Sequence, residues 1–169
     1  MTIHAEHPFR DPEPDPVRRF RGRLGGTVSL WTAGDEGDRA GLTVTSFVVA
    51  AGDDPRVLGL LDPDADLTER LLATERAVVQ LLAWEHRDLA EMFAGVAPAP
   101  GGAFRQAEFE QTEWGPRLTS ASTWAGVRLE TEQQVGWSTL VTTVVEHLEV
   151  GGEAADDEPL RHRRGRYGR

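Results

Sequence analysis

The sequence is 169 residues long, 39% hydrophobic and 27% charged, which suits one globular domain with a sizeable core. Its 18 basic residues stand against 28 acidic ones, and the net charge of −10 argues against a general nucleic-acid binder. Cysteine is absent, so disulfides and thiolate metal sites are excluded; every basic residue is arginine, which excludes Schiff-base lysine chemistry and a P-loop lysine.

Residues 1–14 hold three prolines and little apolar content, and read as a flexible arm ahead of a single domain over 15–169. Met1 to Asp15 lacks the apolar centre of a secretory signal. No apolar run approaches the roughly 20 residues that a membrane span needs. A soluble, cytoplasmic protein is the expectation. Asp15-Pro16 is a helix start, and Val17, Phe20 and Leu24 fall on one face of a short amphipathic helix ending at Gly25-Gly26. Thr27 to Thr32 reads as a strand, 33–38 as a turn, and Arg39 to Ala51 as one long strand. A turn at Gly52 to Pro55 returns the chain as a strand over Arg56 to Leu61, making a β-meander.

Asp66 followed by Glu69 fits a capping box for a helix through Leu67, Leu71 and Leu72. Ala77 to Trp84 is an apolar strand interrupted by Gln80. His86 to Phe93 is a second helix, stopped by Gly95. The stretch from Phe104 to Trp114 has no clear period. Trp124 to Thr131 and Trp137 to Val150 read as strands, and Arg161 to Tyr167 as a last short one. Six or seven strands with short helices between them, and no βαβ alternation, predict a mainly β protein: an antiparallel barrel with helical insertions.

The chemistry-bearing stretch is Gly41 to Phe47, where Thr43, Thr45 and Ser46 crowd into four positions. Alternation places Thr43 and Thr45 on one strand face and Leu42, Val44 and Ser46 on the other. Hydroxyls so placed can donate to a polar ring, and a bare half-buried strand is the competing reading. Gly41 leaves room for a close approach. The five histidines have no zinc-helix spacing, so no metal is expected. There is no nucleophile elbow and no dinucleotide fingerprint. The turn at Asp62 to Thr68 opens a helix whose free N–H groups suit a phosphate. Its three aspartates oppose one, leaving backbone N–H groups, Thr68 or a distant arginine to hold it. Arg161, Arg163, Arg164, Arg166 and Arg169 form a second place where an anion can be met.

Five segments in order resemble the flavin reductase-like, FMN-binding split-barrel family, in its actinobacterial form. They are Gly41 to Phe47, Leu60 to Leu67, Ala77 to Leu82, Asp88 to Gly95 and Pro159 to Tyr167. The resemblance implies a homodimer binding FMN, or FAD, near the subunit interface. Leu42, Thr43, Val44, Thr45 and Ser46 would line the isoalloxazine. Asp62, Ala65, Asp66 and Leu67 would meet the ribityl-phosphate end, and Gln80 stands where the family usually has asparagine. Arg164 and Tyr167 belong to a C-terminal signature near the flavin. NADH or NADPH would reduce the flavin, which stays bound or serves a partner monooxygenase. Two positions depart from the family pattern. Ala65-Asp66-Leu67 replaces Ser-x-Thr in the phosphate turn. Gly136-Trp137 replaces Asp-His, whose histidine lies by the nicotinamide. Trp137 is expected in the barrel core or at a dimer interface; Trp31, Trp84, Trp114 and Trp124 are expected in the same places. His147 and His162 are expected to be structural. A flavin-holding barrel without nicotinamide turnover is the alternative to an enzyme, and a cofactor-free structural dimer is a third reading.

Overall fold

The computed structural model describes residues 15–152 and 158–169, so the expected N-terminal arm lies outside the described residues. Helix α1 (Pro16–Leu24) begins where the sequence places it. The Asp15 carboxylate accepts from the Val17 N–H at 3.0 Å, and Gly25 leaves the helix at φ +65°. Its apolar stripe does not turn inward as an amphipathic helix usually does. Val17, Phe20 and Leu24 are 72%, 66% and 69% exposed.

The expected strand over 27–32 divides at Val28 into β1 (Gly26–Thr27) and β2 (Ser29–Ala33). The expected strand over 39–51 breaks at Thr45-Ser46 into β3 (Ala40–Val44) and β4 (Phe47–Ala50). The remaining elements are β5 (Arg56–Leu61), α2 (Asp66–Thr74), β6 (Arg76–Leu81), α3 (Arg87–Phe93), β7 (Phe109–Gln111), β8 (Pro116–Leu118), β9 (Trp124–Val135), β10 (Ser138–Glu149), β11 (Arg161–Arg163) and β12 (Arg166–Gly168). Seven strands form an antiparallel sheet in the order β3-β2-β6-β9-β10-β5-β4.

That order explains the break at Thr45-Ser46. β3 pairs with β2 and β4 pairs with β5, at opposite edges of the sheet, yet only two residues join them. The sheet must therefore curl until its edges approach, and one straight strand cannot serve both. The curl encloses a core of Trp31, Val44, Leu61, Val79, Val127 and Val141, closed by Leu67 and Leu71 of α2. The Trp31 ring crosses this interior to β5, where a Cβ on Gly59 would stand 2.7 Å from it. A second core lies on the outer face. There Val28, Leu30, Leu82 and Leu160 pack under Leu89 and Phe93 of α3 and Leu118 of β8. Phe104, in a 3-10 turn, packs edge to face on Phe93 at 5.0 Å and on Phe109 of β7 at 4.9 Å between ring centroids. These contacts order the stretch that had no clear period.

Two hairpins have tight turns made at positive φ. Val135 faces Ser138, so Gly136-Trp137 is a two-residue loop with glycine first, at φ +56°. Trp137 at its tip is 95% exposed in the single chain, which corrects the barrel-core half of the expectation, because the tip of a two-residue loop stands clear of the core; the dimer-interface half is compatible with that exposure. Trp31 and Trp124 are buried as expected. The second hairpin joins β11 to β12 through Arg164-Gly165, both at positive φ (52° and 77°), and β1 adds to it through Gly26 opposite His162.

Candidate functional site

The break between β3 and β4 places two hydroxyls at one rim of the barrel. Thr45 is exposed and Ser46 half-buried, and neither side chain has a hydrogen-bond partner among the described residues. Backbone pairing fixes what surrounds them. The Ser46 carbonyl accepts from the Leu60 N–H at 2.9 Å, two residues before Asp62. On the other side, a Cβ on Gly26 would stand 3.0 Å from the Thr45 carbonyl oxygen, so β1 and its hairpin lie against Thr45. Thr139 of β10 pairs with Leu61, which brings the Gly136-Trp137 tip beside the turn that starts at Asp62. The rim thus gathers Thr45, Ser46, the 62–67 turn, the Trp137 tip and the C-terminal hairpin.

The other residues of the 42–46 stretch serve the fold. Leu42 and Val44 pack toward the barrel interior. The Thr43 hydroxyl donates to the Ala90 carbonyl of α3 at 2.6 Å. The room left by Gly41 is filled by the Phe93 ring, 2.6 Å from where a Cβ would be. Gln80 is fully buried on the outer face. Its Oε1 accepts from the Leu118 N–H at 2.7 Å and its Nε2 donates to Thr32 at 3.0 Å. In the sheet Leu30 stands between Gln80 and Thr43, so Gln80 does not reach the rim.

The turn before α2 differs from the capping box read in the sequence. Ala65, not Asp66, is the N-cap residue and has no side chain able to cap. Asp62 shapes the turn instead: its carboxylate accepts from the Asp64 N–H at 2.9 Å, and its carbonyl accepts from Ala65 N–H at 3.2 Å and the Thr68 hydroxyl at 2.6 Å. Thr68 is thereby buried and committed, which removes it as a phosphate donor. Asp66 and Leu67 occupy the first two helical positions, whose N–H groups have no intrahelical acceptor. The Leu67 side chain itself is core. The cation of this helix, Arg70, is paired with Asp38 at 2.6 Å. Among the described residues the N–H groups of Asp66 and Leu67 are the open backbone donors here, and Asp62, Asp64 and Asp66 are exposed around them.

The C-terminal hairpin has the opposite character. Arg164 sits at its tip, its N–H donating to the Gly22 carbonyl at 3.1 Å. Tyr167 packs edge to face on His162 at 5.1 Å; burial, with Glu91 nearby, pushes its phenol above the ordinary value. Between the hairpin and the end of α1 lies an open groove of about 520 Å³. Arg23 from α1 lines it beside the arginines of the hairpin. The charge run was visible in the sequence, but Arg23 was not linked to it, because only folding brings the two segments together.

A histidine and a serine also meet, under the 3-10 turn Trp84–His86. The Ala83 N–H donates to His86 Nδ1 at 2.9 Å, so the neutral ring carries its proton on Nε2, 2.8 Å from Ser120 Oγ. Burial holds His86 below the ordinary histidine range, against the opposing effect of Glu85. A ring that donates to serine cannot serve as its base, so this pair is structural.

A curled antiparallel sheet whose edges approach, with short helices between its strands, defines a split barrel. Comparison with known proteins narrows this: residues 21–169 match the family described as flavin reductase like domain, and the chain belongs to that family. It is 30% identical over 153 residues to an FMN reductase (NADH) RutF 2 of Methylorubrum extorquens (strain PA1), covering 84% of this chain and 85% of that protein. It is 25% identical over 138 residues to an FMN reductase (NADH) RutF of Serratia proteamaculans (strain 568), covering 80% and 75%. The fold is shared with a solved NADH:FAD oxidoreductase of Streptomyces globisporus C-1027, in complex with NAD and FAD fragments. The TM-score is 0.78, the identity 22%, and 90% of each chain is covered. Mainly β architecture and the split-barrel family are thus as the sequence implied. No helix among the described residues is long and apolar enough to cross a membrane.

Proposed function

We propose that this protein is a flavin-binding oxidoreductase that uses NADH or NADPH to reduce FMN, or FAD, at the rim built around Thr45 and Ser46. The observation that carries the reading is the meeting there of two unengaged hydroxyls with the uncapped N-terminus of α2. A flavin needs both kinds of donor: hydroxyls for its polar ring edge and N–H groups for its phosphate. Two relatives bearing the name FMN reductase (NADH) support the choice of reaction.

The flavin, when bound, supplies the hydride chemistry. This chain's residues do the rest. Thr45 and Ser46 orient the ring by donating to it. The N–H groups of Asp66 and Leu67 hold the phosphate, and the three aspartates of the turn limit how tightly. The Trp137 indole offers a ring face beside the turn and no titratable proton. Exposed Val48 and Val49 on edge strand β4, Leu60 beside them, and the uncovered stripe of α1 give a second copy of the chain an apolar surface to cover. A homodimer of one 15–169 domain per subunit follows. A cytoplasmic location suits its nicotinamide supply, and the reduced flavin remains bound or passes to a partner monooxygenase.

The test is the visible spectrum of the purified protein after FMN is added and the excess removed, followed by NADH or NADPH. A retained flavin band that bleaches on nicotinamide addition is expected. A retained band that neither nucleotide bleaches supports the second reading, a flavin-holding barrel without turnover, which Trp137 and Ala65 favour. Failure to bind FMN or FAD and to accelerate nicotinamide oxidation would overturn both.

A further inference from the structure

We propose, resting on the flavin reading of the Thr45–Ser46 rim, that buried Trp31 and Ser29 are positioning residues for the flavin. Together they set the spacing of the two strand ends between which the rim hydroxyls are held. Both residues are fully buried, and strand alternation puts their side chains on the same face of β2.

Ser29 and Val44 are the last pair of the β2–β3 ladder, and the chain breaks at Thr45-Ser46 immediately beyond. The Ser29 hydroxyl donates to the Val44 carbonyl at 2.7 Å, so it grips the last residue before the break. Ser29 in turn accepts from the Trp31 indole N–H at 3.0 Å. The other end of the indole crosses the barrel interior. Its Cη2 lies 2.7 Å from where a Cβ on Gly59 would stand, and Gly59 pairs with Phe47, the first residue of β4. The next residue, Leu60, donates its N–H to the Ser46 carbonyl at 2.9 Å. One rigid ring thus links the strand end before the break to the strand that holds the strand end after it.

Burial by itself asks less of these residues. A buried indole N–H and a buried hydroxyl need acceptors, and any interior carbonyl supplies one. Thr143 shows that plain form: its hydroxyl donates to the Val57 carbonyl at 2.8 Å, at the end of β5 away from the rim. Trp31 and Ser29 differ because they bridge the break from both flanks. Only two residues join β3 to β4, so a shift of either flank passes to Thr45 and Ser46 with no slack to absorb it. Groups that orient a ligand for reaction lose much of their effect when misplaced by about 1 Å. Gly59 is the condition for the span, since a side chain there would push the indole back.

The experiment is calorimetric titration of the full chain with FMN, with a urea midpoint for each variant. Ser29→Ala removes the bridge between the indole and Val44. Thr143→Ala removes a matching buried hydroxyl away from the break. Both should lower the midpoint. Ser29→Ala should weaken FMN about tenfold, and Thr143→Ala by less than about twofold. In a Thr45→Val/Ser46→Ala background, Ser29→Ala should still lower the midpoint but cause little further loss of FMN affinity, because its effect on the flavin passes through hydroxyls already removed. The visible circular dichroism of bound FMN, which reports the setting of the ring and not global stability, should change in Ser29→Ala and stay the same in Thr143→Ala. Equal losses of FMN affinity in the two variants overturn the proposal, as does a Ser29→Ala loss that persists in full without the rim hydroxyls. Should Ser29→Ala fold poorly, Trp31→Phe, which keeps a ring in the core and removes the N–H donor, is judged by the same outcomes. A natural sequence that binds neither FMN nor FAD overturns the flavin reading, and the positioning role falls with it. FMN binding that Ser29→Ala leaves unchanged overturns the positioning role alone.

Discussion

The buried cores on the two faces of the sheet and the barrel rim treat polar groups in opposite ways. Inside, Ser29 donates to the Val44 carbonyl at 2.7 Å and accepts from the Trp31 indole at 3.0 Å. Thr143 donates to the Val57 carbonyl at 2.8 Å, Thr32 donates to the Pro116 carbonyl, and both ends of Gln80 are bonded. At the rim, among the described residues, Thr45 and Ser46 have no such partner, α2 starts without a side-chain cap, and no Asp or Glu lines the groove beside the hairpin arginines. Burial explains the first pattern, since an unpaired polar group away from water is expensive. Water tolerates the second, so donors there are free to be kept for a ligand. Thr43 and Thr45 make the same point two residues apart: one hydroxyl ties β3 to α3, and the other is exposed with no partner among the described residues.

The comparison can be broken at its interior. Gly59→Val drives a side chain into the Trp31 ring and should lower stability by roughly 3 kcal/mol, read as a shift in urea midpoint. A midpoint that does not move would mean the interior is looser than described. Gln80→Leu leaves the Leu118 N–H buried and unpaired, and should cost about 2 kcal/mol. If that variant keeps its stability but loses flavin, Gln80 belongs with the site and not with the scaffold.

The rim should respond in ligand affinity instead. Thr45→Val with Ser46→Ala should weaken FMN roughly tenfold with an unchanged midpoint, because it removes only unengaged hydroxyls. Asp64→Asn with Asp66→Asn should strengthen FMN about threefold at low salt, with the gain fading as salt screens the removed charges. Unaltered FMN affinity in that pair would place the phosphate elsewhere than the α2 turn. The smallest effect concerns pH. His86 binds a proton less readily folded than unfolded, so protons favour the unfolded chain. Stability should hold above about pH 6.5, the ordinary histidine value, and decline as pH falls below it. The decline should flatten in His86→Gln, as urea titrations across that range would show.

Much was legible in the sequence because it depends on neighbours along the chain. Asp15-Pro16 announced α1, the apolar run of Arg56 to Leu61 after the Gly52 to Pro55 turn announced β5, and Gly95 ended α3. Five short segments in order were enough to imply the family, since family patterns record spacing and residue type. Individual roles were less legible. The capping box at Asp66 and Glu69 failed because Asp62, four residues earlier, had already closed the turn around its own carboxylate and carbonyl. Trp137 was expected in the core or at a dimer interface on its apolar character, and a two-residue loop kept it out of the core.

By itself the sequence determined a mainly β chain with short helices, an excess of acid relieved by one arginine run, and membership of a flavin-reductase-like family. Only the tertiary structure decided which donors are free. Curling the sheet put β3 and β4 at opposite edges and broke the long strand at Thr45-Ser46. It turned Thr43 onto α3 and brought Gly26 with its hairpin against Thr45. Whether a hydroxyl or a guanidinium is engaged depends on partners tens of residues away, and local pattern carries no record of them.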